Sequence, residues 1–137
     1  MKVHRVLGPG FLESVYERAL AHEVQQRRLA VDCGKRIQVR YDRVIVGEFI
    51  ADMFVSDSIL IEIQAVRALV RAHEAQLVNY LTATGIEIGL LLNFGCERLQ
   101  FKWKAREYRK RTARQDLQDV QDGRGGPVGI SPSQRCP

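Results

Sequence analysis

Long hydrophobic runs are absent from this 137-residue sequence, although hydrophobic residues make up 45% of it. No apolar stretch reaches the roughly 18 residues that a membrane-spanning helix requires. The N-terminus also lacks the charged and then apolar order of a secretory signal. We therefore expect a cytoplasmic protein without a membrane segment, and a single domain of ordinary size with its own hydrophobic core.

Cysteine and histidine are scarce, which limits the kinds of catalytic and metal-binding site that the sequence can form. The cysteines are Cys33, Cys96 and Cys136. The histidines are His4, His22 and His73. The cysteines are odd in number, far apart and without a nearby histidine at ligand spacing, so neither a disulfide framework nor a zinc site is indicated. Because the histidines lie on helical segments without partners at identifiable motif positions, nothing favours a Ser/His/Asp or Cys/His catalytic site.

Positive charge is concentrated towards the C-terminal end. Eight basic residues fall in one stretch: Arg98, Lys102, Lys104, Arg106, Arg109, Lys110, Arg111 and Arg114. Against Glu107 alone they give residues 98–114 a charge of +7, which leaves −2 for the rest of a chain whose net charge is +5. With Trp103 and Tyr108 interleaved, the segment is suited to neutralising phosphates and stacking on bases. A solvated charged extension has the same composition.

The spacing of apolar residues predicts the order of helices and strands. Apolar positions three and four residues apart predict a helix over about residues 9–29, with Pro9 near its first turn. Alternating segments then predict two strands that turn at residues 41–43. A third strand, rich in isoleucine and valine, is predicted over residues 59–66.

The second half of the sequence continues with one more helix and at least one more strand. The helix is predicted over about residues 70–84 and stops at Gly85. An almost continuous apolar run over residues 87–94 is typical of a strand covered on both faces. The order is therefore α-β-β-β-α-β, with a further strand indicated at residues 98–104.

The composition also divides the chain into a domain and a tail. We assign the domain to residues 1–104 and the tail to residues 105–137. The tail is basic at first. Beyond Gln115 it has too few apolar residues to fold, which predicts disorder.

Three polar side chains interrupt the apolar segment over residues 49–66. If residues 56–58 form a three-residue hairpin loop, Asp52 faces Glu62 directly and Gln64 lies on the same side of the sheet. Directly opposed residues have Cβ atoms about 5 Å apart, and like charges so placed repel each other, so the pair needs a counter-charge, a shared proton or a cation. A hard divalent metal suits oxygen ligands best. An edge strand with its acids in water is the alternative.

Four segments together carry a resemblance to a known family. They are GPGFLESVYERAL, with Gly10-x-x-Glu13-x-x-Tyr16, then ADMFV, IEIQAV and HEAQLVNYL. In this order and spacing they resemble the bacterial GxxExxY protein family, which is grouped with the PD-(D/E)XK nuclease-like superfamily. The resemblance covers about residues 3–104. It implies an α/β, restriction-endonuclease-like core in which a mixed sheet is flanked by helices.

The resemblance also implies a metal site. Asp52 occupies the place of the superfamily's metal-binding aspartate and Glu62 that of the following acid, with nine residues between them. In such nucleases these carboxylates hold Mg²⁺ or Mn²⁺, helped by a backbone carbonyl that is here that of Ile63. Glu13 is similar to the acid that the first helix supplies. An acid in the first turn of a helix also complements the helix dipole, which is the simpler interpretation of Glu13.

Gln64 departs from the family pattern, which usually has lysine at this place. Lysine there is thought to orient and polarise the attacking water and to offset negative charge at the phosphate, whereas glutamine can only orient. We keep Gln64 as a catalytic candidate beside Asp52 and Glu62. Without the lysine, the three acids depend more heavily on a metal for neutralisation.

The second helix carries Gln76 and Tyr80 four residues apart on one face. The pair resembles the Gln-x-x-x-Tyr motif of RecB-like exonucleases in the superfamily, in which these side chains line the site and contact nucleic acid or order the metal ligands. The alternative is an ordinary packing stripe on the sheet with Gln76 at its edge. Lys102 and Lys104 are candidate phosphate contacts near the last strand.

The activity that the resemblance implies is metal-assisted hydrolysis of phosphodiester bonds in DNA or RNA. The alternative is a nucleic-acid-binding or protein-interaction module that keeps the fold and has lost catalysis. A third, weaker alternative is a small homo-oligomer in which a second subunit covers the apolar face of the first helix.

Overall fold

The computed structural model describes residues 1–107. Its elements are α1 (Lys2–Leu7), α2 (Glu13–Gln26), β1 (Val31–Tyr41), β2 (Val44–Val55), β3 (Ile59–Gln64), α3 (Arg71–Thr84), β4 (Ile88–Asn93) and β5 (Gln100–Ala105). The tail predicted to be disordered beyond Gln115 lies outside this range, as do Tyr108 and Cys136. None of the three helices described is long and apolar enough to cross a membrane.

The five strands form one mixed sheet in the order β1-β2-β3-β4-β5. Neighbouring strands are antiparallel except β3 and β4, which are parallel. A parallel pair needs a long crossover connection, and α3 supplies it. The predicted α/β class, a mixed sheet flanked by helices, is confirmed, and the further strand indicated near residue 104 is β5. The order gains one element, because α1 precedes the predicted first helix.

The predicted start of the first long helix is wrong. This helix, α2, begins at Glu13 rather than near residue 9, and Pro9 lies in the turn before it. The reason is the pair of glycines around the proline: Gly8 and Gly10 have φ values of 66° and 113°. Such values are open to glycine but incompatible with a right-handed helix, so the chain turns here and the helix starts after it.

The hairpin between β2 and β3 has the predicted register. Residues 56–58 form its loop, and Val55 pairs with Ile59 while Phe54 pairs with Leu60. This register sets which residues of β2 and β3 lie opposite each other. Within β3, alternate residues point to the same side.

Two apolar cores cover the two faces of the sheet. One lies under α1 and α2 and contains Val3, Tyr16, Leu20, Met53, Val55, Ile61, Ile63, Leu92 and Phe94. The other lies under α3 and contains Val39, Phe49, Ala51, Phe54, Leu60, Leu77, Tyr80, Leu81 and Leu91. Because β3 is covered on both faces, the polar side chains of β3 are buried as well.

Candidate active site

The backbone ladder between β2 and β3 stops where the two acidic residues begin. The ladder joins residues 53–55 to residues 59–61. Beyond it, the carboxylate Oδ2 of Asp52 accepts a hydrogen bond from the backbone N–H of Ile63 at 2.9 Å. In return, Oε1 of Glu62 accepts one from the backbone N–H of Asp52 at 3.2 Å. Each acid is therefore held by the opposite strand, and their closeness comes from side-chain-to-backbone contacts rather than from two facing side chains.

Strand β2 is irregular at Asp52. Its residues in the core under α3 are Phe49, Ala51 and Phe54, so the strict alternation of faces breaks between Ala51 and Phe54. The register with β1 is the same on both sides of this point and places Gly34 opposite Asp52. Gly34 has a φ of 67°, a value that favours glycine. The local distortion of two strands thus accompanies the insertion of a carboxylate between β2 and β3.

Both carboxylates are almost completely buried, with 1% of Asp52 and 4% of Glu62 exposed. Burial raises the pKa of Glu62 well above its ordinary value, and the negative charges of Glu17 and Glu13 raise it further. A buried acid near other acids favours either a bound proton or a nearby cation. The electrostatics of the site therefore favour positive charge.

The acids of α2 are positioned by Tyr16. The Tyr16 hydroxyl donates a hydrogen bond to the carbonyl of Gly8 at 2.6 Å and accepts one from the N–H of Phe11 at 3.1 Å. Its ring stacks on Phe94 with 4.6 Å between the centroids. The buried tyrosine thus fixes the turn before α2, and with it Glu13, the first residue of the helix.

Glu17 is the acid that sequence reasoning missed. It lies one helical turn after Glu13, and its charge acts on Glu62 more strongly than that of Glu13. It also contributes to raising the pKa of Cys33 on β1, although burial is the larger cause there. The four-residue spacing from Glu13 was the available signal, since residues so spaced lie on one face of a helix.

The three predicted acidic ligands do not form a closed group. Within residues 1–107, no three histidine, cysteine, aspartate or glutamate side chains lie close enough together to hold a metal ion. Asp52 and Glu62 are brought together, and Glu13 lies near enough to affect Glu62 electrostatically. A cation here would need neutral oxygen donors beside the two carboxylates of the strands.

The two residues that follow Glu62 on β3 each offer a neutral oxygen. The N–H of Ile63 is bonded to Asp52, and because the N–H and C=O of one strand residue point the same way, its carbonyl also lies on the β2 side. Gln64 is 5% exposed. Its side-chain oxygen Oε1 is buried and has no hydrogen-bond partner among the described residues. Carboxylate, carbonyl and amide oxygens are the donors that hard divalent cations prefer, so this donor set fits Mg²⁺ or Mn²⁺.

Gln76 and Tyr80 bond to each other on the buried face of α3. The side-chain amide of Gln76 donates to the hydroxyl of Tyr80, and Tyr80 stacks on Phe49 of β2 with the centroids 3.7 Å apart. Tyr80 is fully buried within the core that contains Leu77 and Leu81. Tyr80 therefore has the environment of a packing residue, and Gln76 is held in place by it.

Lys102 and Lys104 lie on the same face of the edge strand β5, opposite Leu91 and Gly89 of β4. Lys104 forms an ion pair with Glu74 of α3 at 2.6 Å, whereas Lys102 is exposed. Lys102 is thus the more accessible of the two cations.

The other face of β5 carries two exposed aromatic residues. Phe101 is 58% exposed and Trp103 is 54% exposed. The predicted stacking residue Trp103 is therefore accessible from solvent. It lies on the opposite face from the lysines, because side chains alternate along the strand.

A surface groove of about 670 Å³ lies away from the acids. It is bordered by the β1–β2 hairpin and the end of α3, and its lining includes Lys35, Phe54 and Thr84. None of the candidate site residues lines this groove.

A solved structure, that of SSO0001, shares this fold at low sequence identity. The crystal structure of SSO0001 matches with a TM-score of 0.58 and 16% identity, over 84% of this chain and 60% of that one. An alkaline exonuclease, LHK-Exo, from Laribacter hongkongensis matches with a TM-score of 0.44 and 14% identity, over 80% of this chain and 60% of that one. The chain thus spans about three fifths of the length of these structures. No curated protein matches the sequence significantly.

The sequence itself matches a family of enzymes. The model of the PD-(D/E)XK nuclease superfamily covers residues 1–106, which is nearly all of the described chain. The mixed sheet, the flanking helices and the buried acids on adjacent strands agree with that match. The chain belongs to the PD-(D/E)XK nuclease superfamily.

Proposed function

We propose that this protein is a metal-dependent nuclease that hydrolyses phosphodiester bonds of DNA or RNA. Membership of a nuclease superfamily supports the class of reaction. The observation that carries the proposal is the exchange of hydrogen bonds at the end of the β2–β3 ladder, which holds Asp52 and Glu62 together in a buried position. Two buried acids with further acids nearby are unfavourable unless positive charge offsets them.

In this proposal Asp52, Glu62 and the carbonyl of Ile63 hold the divalent cation, and Glu13 supports them from α2. When bound, Mg²⁺ or Mn²⁺ supplies Lewis-acid chemistry for hydrolysis of the phosphodiester. The strands supply the positioning, because each acid is tied to the backbone of the neighbouring strand. Gln64 is assigned to the same site, where it orients the attacking water.

Nucleic acid is the proposed partner. Lys102 is exposed at the edge of the sheet, and the basic residues that follow β5 extend its positive charge along the sequence. Lysine and arginine contacts to phosphates give affinity without sequence preference. Lys104 is assigned a weaker role because Glu74 already neutralises it. Of the two residues on α3, we assign the contact with nucleic acid to Gln76. Tyr80 is assigned the role of holding Gln76 in position.

A binding module without catalysis is the second candidate. One observation favours it, because no three histidine, cysteine, aspartate or glutamate side chains form a group within residues 1–107. The resemblance favours it too, because it implies a lysine at the place of Gln64. Such a module binds nucleic acid with the salt dependence of phosphate contacts and cleaves nothing.

The test is cleavage of labelled single-stranded and double-stranded DNA and RNA with Mn²⁺. The natural chain is compared with Asp52→Asn and Glu62→Gln, which keep the size of each side chain and remove its charge. The nuclease proposal expects cleavage by the natural chain and background activity from both variants.

The matched control is Glu48→Gln on the same strand β2. Glu48 is exposed and pairs with Arg36 at 3.3 Å, so its loss removes a carboxylate outside the site. Cleavage by this control should equal that of the natural chain. Undiminished cleavage by Asp52→Asn contradicts the proposed site, and background cleavage from all four proteins, with binding retained, favours the binding module.

A further inference from the structure

We infer that Gln64 binds the divalent cation directly through its side-chain oxygen Oε1, which makes it a ligand of the metal. This inference rests on the proposed function, because it assigns a role at the same site. It goes further in replacing the orienting role expected for glutamine with a bond to the cation.

The first step is the state of the side chain. Gln64 is 95% buried, since its exposed fraction is 5%. Its amide oxygen has no hydrogen-bond partner among residues 1–107. A buried acceptor without a donor is unfavourable, and native proteins satisfy most such atoms. The position therefore favours a hydrogen-bond donor or a cation other than the side chains and backbone N–H groups of residues 1–107.

The second step is the place of Gln64 relative to the acids. On β3, Gln64 and Glu62 are two residues apart and so point to the same face. The residue between them, Ile63, donates its N–H to Asp52. The unsatisfied oxygen thus projects from the strand that already carries one buried carboxylate and binds the other.

The third step is the number of donors. Asp52 and Glu62 supply two carboxylates, and no third acid, cysteine or histidine joins them within the described chain. Hard divalent cations accept six or more oxygen ligands, some of them amide carbonyls and waters. A glutamine oxygen at this position supplies a third side-chain donor without adding another buried negative charge.

The fourth step is the contrast with lysine. A lysine ammonium has three donors and no acceptor, so it cannot bind a cation and repels one instead. Glutamine at residue 64 removes that positive charge and presents an oxygen in its place. Glutamine at residue 64 therefore favours occupancy of the cation site, whereas a lysine ammonium at the same place would oppose it.

The backbone around Gln64 is held firmly enough to keep this oxygen in place. Its carbonyl accepts a hydrogen bond from the N–H of Phe94 at 2.9 Å. Two residues later, the N–H and C=O of Val66 bond to the side chain of Asn93 at 3.0 and 2.9 Å. Both ends of this short segment are thus anchored to the end of β4.

The experiment measures Mn²⁺ binding by the full chain without nucleic acid. Isothermal titration gives the affinity for the natural chain, Gln64→Met and Asp52→Asn. Methionine has a similar length and no amide oxygen. We expect Gln64→Met to lower the Mn²⁺ affinity roughly tenfold or more, and Asp52→Asn to abolish binding.

A spectroscopic measurement on the natural chain removes the dependence on a variant that fails to fold. Protein labelled with ¹³C at the glutamine side-chain carbonyl is loaded with Mn²⁺, and electron-nuclear double resonance detects coupling between the metal and a directly bound amide. The coupling should be present in the natural chain and in Gln26→Leu, which removes an exposed glutamine at the end of α2, and absent from Gln64→Met.

The outcomes separate this inference from the proposed function. If Asp52→Asn loses Mn²⁺ while Gln64→Met binds it as tightly as the natural chain, or if the labelled natural chain binds Mn²⁺ without ¹³C coupling, Gln64 is not a ligand and the nuclease proposal stands. If the natural chain binds no Mn²⁺, or Asp52→Asn binds it unchanged, both ideas are wrong.

Discussion

At the scale of single residues, Glu62 determines the electrostatics of the site. Its carboxyl lies between two strands, bonded to the backbone of Asp52, with the charges of Glu17 and Glu13 nearby. Its neighbours thus oppose ionisation, while its position beside Asp52 suits a cation. A proton and a metal ion compete for such a site, because both neutralise the same group.

The first prediction concerns stability against pH in a metal-free buffer. Burial, Glu17 and Glu13 raise the pKa of Glu62 well above its ordinary 4.5, so the folded chain binds the proton more tightly than the unfolded chain does. The free energy of unfolding should therefore fall as the pH rises from 4.5 towards the raised pKa, by no more than about 1.4 kcal/mol per pH unit from this group. Urea denaturation between pH 4.5 and roughly 8 measures it.

The comparison variant is Glu62→Gln, whose side chain does not titrate. Its stability should decline less over the same pH range, and the contributions of the other carboxylates cancel between the two proteins. Parallel curves for the two proteins contradict the raised pKa of Glu62.

The residues of the site were only partly predictable from the sequence. Asp52 and Glu62 could be paired because strand alternation and loop length fix a register, and the family pattern pointed to the same two. The spacing of Glu17 from Glu13 indicated a shared helix face, but the effect of Glu17 on Glu62 was not predictable, because helical spacing does not give the distance to another element. The unsatisfied oxygen of Gln64 was also hidden, since hydrogen bonding depends on every neighbour in three dimensions.

The second prediction tests the hydroxyl of Tyr16, which bonds to the turn before α2. Tyr16→Phe keeps the ring that stacks on Phe94 and removes the bonds to Gly8 and Phe11. Because two hydrogen bonds are lost and each contributes about 0.5–1.5 kcal/mol, the free energy of unfolding should fall by about 1–3 kcal/mol. Thermal or urea denaturation measures the loss. Unchanged stability contradicts the idea that this hydroxyl fixes the turn before α2.

At the scale of elements, the end of β4 controls the segment that follows β3. The Asn93 side chain binds both backbone groups of Val66 and also accepts from the N–H of Gly95 at 3.0 Å. Gly95 packs so closely that a Cβ there would lie 2.2 Å from the carbonyl oxygen of Val66. Since Val66 is two residues from Gln64, the contact links the end of one strand to the candidate site on its neighbour.

The third prediction is therefore Gly95→Ala. The added methyl collides with backbone rather than with a flexible side chain, so the variant should lose about 1–3 kcal/mol of stability. It should also weaken Mn²⁺ binding, because the segment that carries Gln64 must move. Denaturation and titration calorimetry measure the two effects.

The control for Gly95→Ala is Gly85→Ala at the end of α3. Gly85 has a φ of 77° and an open neighbourhood, with 3.7 Å to the nearest atom of Arg106. Alanine there should cost about 1–2 kcal/mol from the left-handed backbone alone and leave Mn²⁺ binding unchanged. Equal effects of both variants on Mn²⁺ contradict a specific link between Gly95 and the site.

The elements illustrate what local pattern can and cannot predict. The end of α3 at Gly85 was predicted because a left-handed glycine commonly terminates a helix. The start of α2 was missed because apolar spacing continued through residues 9–12, and only the φ angles of Gly8 and Gly10 break it. The ladder between β2 and β3 also ended earlier than alternation implied, since two side chains replaced its backbone bonds.

At the scale of the whole molecule, the acids of the candidate site and the exposed lysine of β5 lie on different parts of the sheet. The acids lie on central strands and on α2, whereas Lys102 lies on the edge strand β5 and leads into the basic residues that follow it. A nucleic acid bound along the basic edge would approach the acidic centre from one side. Its phosphates would be repelled by Asp52 and Glu62 unless a cation lay between, so binding at the edge and binding at the centre should respond differently to metal.

The last prediction concerns salt dependence. Replacing Arg109, Lys110, Arg111 and Arg114 by glutamine should reduce the slope of log affinity for duplex DNA against log salt by about 0.9 for each phosphate that the protein no longer neutralises. The reason is that fewer counterions are released when fewer cations meet the backbone. Fluorescence anisotropy in EDTA measures affinity without cleavage.

The control carries the same change of charge at four exposed arginines elsewhere, namely Arg5, Arg27, Arg40 and Arg43. Equal slopes for the two variants would mean that net charge, and not the basic segment after β5, attracts the nucleic acid.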